Sequence, residues 1–319
     1  MSKIAPSAIE QYADLLLLTP DDRANALRNA AQLACLSNLA NKVNDWIPSG
    51  ITRLAIYCAD ACLEHKENNP WQPDNFQRFA CCGTGKHDDV LVLAVSENSE
   101  DLADVCAVAD ALGAGGFQPT NPEQLATFLD TLNQARDLID SLPKSQEVVR
   151  LNTGLIVPYR CKPPSVGSGS ALQMPGALLL PAGVPAVVLA ECWIHESLHT
   201  ELHLAEWFEG VPPTSAATNL PTPWRTVERP AALLLHGAYV FSSLLSFIDA
   251  MRELYSQVSS EWHLSATRGT QIPIKNVQEV IAFRKRQILE ALQKLDQAAS
   301  YTQYGKKTMT LIRQQLSIS

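Results

Sequence analysis

Charge is scarce in this chain of 319 residues, and what there is leans acidic: 18% of residues are charged and the formal net charge is −8. A nucleic-acid-binding surface needs clustered Lys and Arg to neutralise phosphates, so no nucleic-acid partner is expected. No charge-free apolar run of about 18 residues stands out, so no membrane span is expected either. The segment Met1-Ser2-Lys3-Ile4-Ala5-Pro6 lacks the apolar core of a secretory signal. The eight cysteines include no C-x-x-C pair. Cys58 and Cys62, and the adjacent Cys81 and Cys82, suit buried free thiols in a reducing compartment better than a second metal site. Together these absences predict a cytoplasmic protein. Gly83-Thr84-Gly85-Lys86 lacks the spacing and the following Ser or Thr of a phosphate loop, and reads as a turn. There is no internal repeat.

Hydrophobic residues make up 46% of the chain, ample for the core of one large domain or two intimate ones. Helical signals dominate. Thr19, Pro20, Asp21 and Asp22 form a helix start, and further helices are expected near 52–64, 99–112 and 122–141. The last places Leu125, Phe128, Leu129, Leu132, Ala135 and Leu138 on one apolar stripe. From about 147 the period changes. Val148 to Val157 and Ala177 to Leu180 read as strands, separated by a loop around Pro163-Pro164-Ser165-Val166-Gly167-Ser168-Gly169-Ser170. One strand edge could accept an extended peptide. Residues 210–223, with four prolines, read as a long loop of the kind that serves as a lid. Residues 276–316 read as one or two amphipathic helices, with Arg284-Lys285-Arg286 on a solvated face. The expected fold is mainly α with a small β-sheet (α+β): an N-terminal helical region over 1–147, and a metal-binding catalytic region over 148–319 with its site between two core helices.

The chemistry is carried by Ile194-His195-Glu196-Ser197-Leu198-His199, an H-E-x-x-H continuing the apolar run that begins at Ala186. A helix turns about 100° per residue, so side chains four apart share a face. His195 and His199 can therefore hold one metal ion, with Glu196 beside them as base or orienting group. The bland alternative is a pair of core histidines bonded to their neighbours. His203 lies two turns beyond His195, roughly 12 Å along the axis, too far to share the same ion, and reads as a flanking residue. For the third ligand, His236 in the apolar segment opened by Pro230 is favoured over Glu228, and Gly237 beside it permits a close approach.

Around these residues lie Pro223-Trp224-Arg225, Glu228-Arg229-Pro230 and Leu235-His236-Gly237-Ala238-Tyr239-Val240-Phe241, preceded by Pro175-Gly176-Ala177-Leu178-Leu179-Leu180. Over about residues 148–255 the chain resembles the H-E-x-x-H-motif-containing peptide-modification family found beside ribosomally made peptide precursors. The resemblance implies an iron(II)/2-oxoglutarate-dependent hydroxylase acting at Cβ of residues in a precursor peptide. It matches His195, His199 and His236 to the metal ligands, and Arg225 and Arg229 to the family's arginines. Where that family commonly has two aspartates after the first arginine, this chain has Thr226 and Val227.

Such an enzyme needs three facial protein ligands and three open positions. Three neutral imidazoles leave the ion its full double charge, which a dianionic co-substrate balances. The distal carboxylate of 2-oxoglutarate suits the planar guanidinium of Arg225 or Arg229, and Trp224 could wall the pocket. Two rivals remain open. In a zinc metallopeptidase, Glu196 would be the general base and Glu228 or His236 the third ligand. In a binding protein, the metal would only pin two helices together. The partner expected is the precursor peptide, and oligomerisation is left open.

Overall fold

The computed structural model describes residues 80–82, 90–93, 102–112, 118–160, 167–172, 174–209, 214, 219–224, 227–257, 277–298 and 300–318. The helices expected at 19–31 and 52–64, and the residues Cys58, Cys62 and Arg225, lie outside them. The architecture is mainly helical with a small sheet, the α+β arrangement expected from the sequence.

Five strands, β1 (Ala80–Cys82), β2 (Val90–Val92), β3 (Leu155–Arg160), β4 (Gly169–Ser170) and β5 (Ala177–Ala182), form one mixed sheet in the order β1-β2-β3-β5-β4. β3 runs parallel to β2 and β5, with Leu155 opposite Ala177 and Arg160 opposite Ala182. β4 pairs antiparallel with β5 and forms one edge. The boundary expected at 147 falls inside a helix, and the sheet takes strands from both sides of it.

The helix α1 (Leu102–Ala111) is followed by α2 (Pro122–Asp140), which starts on a capping box: the Asn121 side chain accepts from the Gln124 amide and Gln124 bonds back. Phe128, Leu132, Ala135 and Ile139 are the buried stripe of α2. In α3 (Pro143–Asn152) one expectation is overturned. Val148 to Asn152 are helical, and the strand begins only at Leu155. Val148 and Val149 are buried in a helix that packs on α4, and this packing outweighs their β preference.

α4 (Ala186–Glu209) carries the H-E-x-x-H and follows β5 through a turn at Gly183, whose φ of 82° favours glycine. Its back face is pinned by polar contacts. Trp193 Nε1 donates to Thr153 Oγ1 at 2.9 Å, the Thr153 and Ser197 hydroxyls bond at 2.9 Å, and Asn152 Nδ2 donates to Glu201 Oε2 at 3.4 Å. These bonds fix the rotation of α4 and so the direction of its other face.

β6 (Asn219–Pro221) falls within the segment expected to be a loop and pairs with β7 (Glu228–Pro230), which leads into α5 (Ala231–Ala250). α5 packs on α4, on α7 (Val277–Ala298) and on α8 (Gln303–Ile318), while α6 (Arg252–Gln257) follows it directly. Against the expectation of no such run, α5 is long and apolar enough to cross a bilayer, but most of it is buried within the fold. The helical reading of the tail is met by α7 and α8. The solvated face read for Arg284 is not: Arg284 is 1% exposed, Lys285 is half-buried and Arg286 is exposed.

Candidate metal centre

α4 presents His195, His199, His203 and Glu206 toward α5, which supplies His236, while Glu196 faces the sheet edge. Two imidazoles sharing an ion at metal–nitrogen distances of about 2.0–2.1 Å hold their ring centres roughly 5 Å apart. The His195 and His199 rings lie 4.9 Å apart, which fits. His236 lies 6.0 Å from His199 and 5.4 Å from His203. The structure thus brings His236 to the α4 histidines across the helix interface. In this arrangement, however, no three His, Cys, Asp or Glu side chains among the described residues meet at one metal-binding point. The His199–His236 pair must close by roughly an ångström to do so.

Glu206 was not singled out in the sequence. Its Oε1 lies 2.7 Å from His236 Nε2, and its Oε2 lies 4.0 Å from His203 Nδ1. The first is a hydrogen bond; the second is too long to be one. A carboxylate accepting one ring N–H fixes the tautomer and turns the other nitrogen into a lone-pair donor, as metal-ligating histidines require. His236 Nδ1 is that other nitrogen; it is buried and has no hydrogen-bond partner among the described residues. This orphaned donor is the observation that fits a metal here. Glu206 is three residues past His203, on the same face of α4, and that spacing was the available signal.

Burial holds the His199 imidazole well below its usual range; the His195 ring adds to this and Glu196 opposes it. Burial also lowers His203, against its contact with Glu206. For Glu206 burial acts upward, but the His203 and His236 rings outweigh it and bring the carboxyl to about 2. His199 and His203 are therefore neutral, the metal-binding form, beside an ionised carboxylate.

Glu196 is buried, and both of its oxygens are engaged. The Ser168 and Ser170 hydroxyls donate to Oε1 and Oε2, each at 2.6 Å. These serines flank and form β4, so Glu196 ties the metal helix to the sheet edge. Gly169 between them is required by a close approach: a Cβ there would lie 2.2 Å from the Leu112 carbonyl oxygen.

Trp224 meets Gly237 in a similar way, since a Cβ on Gly237 would lie 2.5 Å from the indole ring. Trp224 also contacts Phe241 edge-on at 5.3 Å, and Phe241 contacts His195 at 5.4 Å. These ring contacts thus link the indole to the His195 ring through Phe241. Arg229 lies half-buried on β7 and makes no ion pair among the described residues. Glu228, the alternative third ligand, is exposed on β7 rather than on a helix facing the site. In comparisons with known proteins, no family model and no curated protein matches this chain.

Proposed function

We propose that the protein is an iron(II)/2-oxoglutarate-dependent hydroxylase acting at Cβ of residues in a ribosomally made precursor peptide. The observation that carries the reading is the approach of His236 to the H-E-x-x-H face, with Glu206 on one ring nitrogen and the other nitrogen bare. His195, His199 and His236 would hold the ion as neutral donors from two helices, a facial set that leaves the opposite side for small ligands. The bound iron, with 2-oxoglutarate and dioxygen, supplies the oxidising power that replaces a C–H hydrogen by hydroxyl while the keto-acid becomes succinate and carbon dioxide. Glu206 orients His236, and Trp224 and Phe241 keep water from one side. β4, an antiparallel sheet edge beside Glu196, offers backbone groups to an extended peptide. On this reading the protein works in the cytoplasm.

On this reading Glu196 is a positioning group, since each of its oxygens accepts one serine hydroxyl from the sheet edge. In a hydroxylase this bridge only positions α4 against the sheet. Purified protein with iron(II), 2-oxoglutarate and the precursor peptide should yield succinate and a peptide heavier by one oxygen. Peptide cleavage with zinc and no keto-acid would refute the proposal. Glu196→Gln should keep its metal and measurable hydroxylation, whereas a peptidase would lose nearly all turnover.

A further inference from the structure

The least explained group in the fold is Arg284. Its side chain is buried, and none of its three guanidinium nitrogens has a hydrogen-bond acceptor among the described residues. An arginine carries five donors, and burying them without an acceptor is costly. The guanidinium carbon lies 3.8 Å over the centre of the Phe241 ring, which offsets part of that cost. The same ring meets His195 edge-on at 5.4 Å. Arg284 is thus separated from the H-E-x-x-H face by one aromatic side chain.

The surroundings are held in place. Gln287, one turn further along α7, donates from Nε2 to the Pro223 carbonyl at 2.6 Å, which fixes Trp224 beside Phe241 and Gly237. The buried anion nearest in effect is Glu191, one turn before His195. It favours the charged form of Arg284 while burial opposes it, leaving the group at about 9, still cationic at neutral pH. Glu191 accepts from the Tyr255 hydroxyl at 3.1 Å.

We propose that Arg284 binds a carboxylate of a small anionic ligand whose other end reaches the His195–His199 pair. This rests on the hydroxylase reading for the ligand's identity: there the ligand is 2-oxoglutarate, and Arg284 takes its distal carboxylate in place of Arg225 or Arg229. A planar fork matches a carboxylate bidentately, which an ammonium does not. An extended five-carbon diacid spans roughly 5 Å between its end carbons, and the centre of the Phe241 ring lies 3.8 Å from the guanidinium carbon and 5.4 Å from the His195 ring.

The test is calorimetric binding to the full chain, with and without manganese(II), so that no turnover is needed. The probes are 2-oxoglutarate, 2-oxopentanoate (equally long but lacking the distal carboxylate) and succinate. Wild type should prefer 2-oxoglutarate over 2-oxopentanoate by at least about tenfold, the worth of a charge-assisted hydrogen bond. Arg284→Met and Arg284→Lys should each remove most of that preference and leave 2-oxopentanoate unchanged, with thermal melts showing that both variants fold. Persistence of the preference in the variants, its absence in a wild type that binds the keto-acids, or failure of wild type to bind any of the three acids overturns the inference. Loss of the fold in both variants assigns Arg284 a structural role against Phe241 and overturns it equally. Succinate binding that depends on Arg284, without binding of either keto-acid, keeps the inference and removes the hydroxylase reading.

Discussion

At the scale of single residues, the site depends on hydrogen bonds that leave particular lone pairs bare. Glu206 takes one nitrogen of His236, and the other has no hydrogen-bond partner among the described residues. Removing the negative charge while keeping the shape should weaken this arrangement without emptying the core. Glu206→Gln is expected to lower metal affinity about 10–100-fold, the range seen when a carboxylate behind a metal-binding histidine is lost. Competition with a chelator measures it, and a melting temperature in metal-free buffer close to wild type would show that the loss is local. Metal affinity unchanged from wild type would mean that Glu206 does not support a ligand.

At the scale of elements, the site is a junction of α4, α5, α7 and the β4 edge. The junction through β4 is the most brittle, because Gly169 sits against a backbone carbonyl that cannot turn aside. Gly169→Ala should push β4 away from Leu112, release Glu196 from Ser168 and Ser170, and destabilise the fold by about 1–3 kcal/mol. Hydrogen exchange should show lost protection at β5, the strand paired with it; unchanged protection would contradict this account of the edge.

Much at this scale was legible. The H-E-x-x-H sits on a helix as read, α2 begins at its capping box, and the α7–α8 tail follows its apolar period. Three things were not. Val148 and Val149 carry β-branched side chains into a helix because α4 covers them. β4 is too short for any alternation to show, and its role lies in two serines that meet Glu196 only in three dimensions. Arg284 reads as solvated by its charge, yet it falls in the helical series Val277, Val280, Ile281, Arg284, Ile288, Leu292, whose members are all buried. That series is visible in the sequence, and an arginine inside it is the signal of burial.

At the scale of the whole molecule, stability should carry a trace of the buried cation on α3. Burial lowers Lys144 from 10.5 to about 8, against the pull of Glu201. Below about pH 8 the amine is protonated in both the folded and unfolded chain, and the cost of burying its charge is carried in full. Between about pH 8 and 10.5 the folded chain releases the proton while the unfolded chain keeps it, so stability from this group rises with pH. Denaturant titrations of wild type and Lys144→Met at the two ends of that window check the sign: the difference between them should move in favour of wild type as pH rises, and a difference independent of pH would contradict it.

The central claim is that imidazoles from two helices close on one ion. Anaerobic titration of iron(II) into wild type, His199→Ala and His236→Ala tests it most directly. The account predicts one iron per wild-type chain, a charge-transfer band when 2-oxoglutarate is added, and loss of tight binding in both variants. Undiminished iron binding by His236→Ala would contradict it.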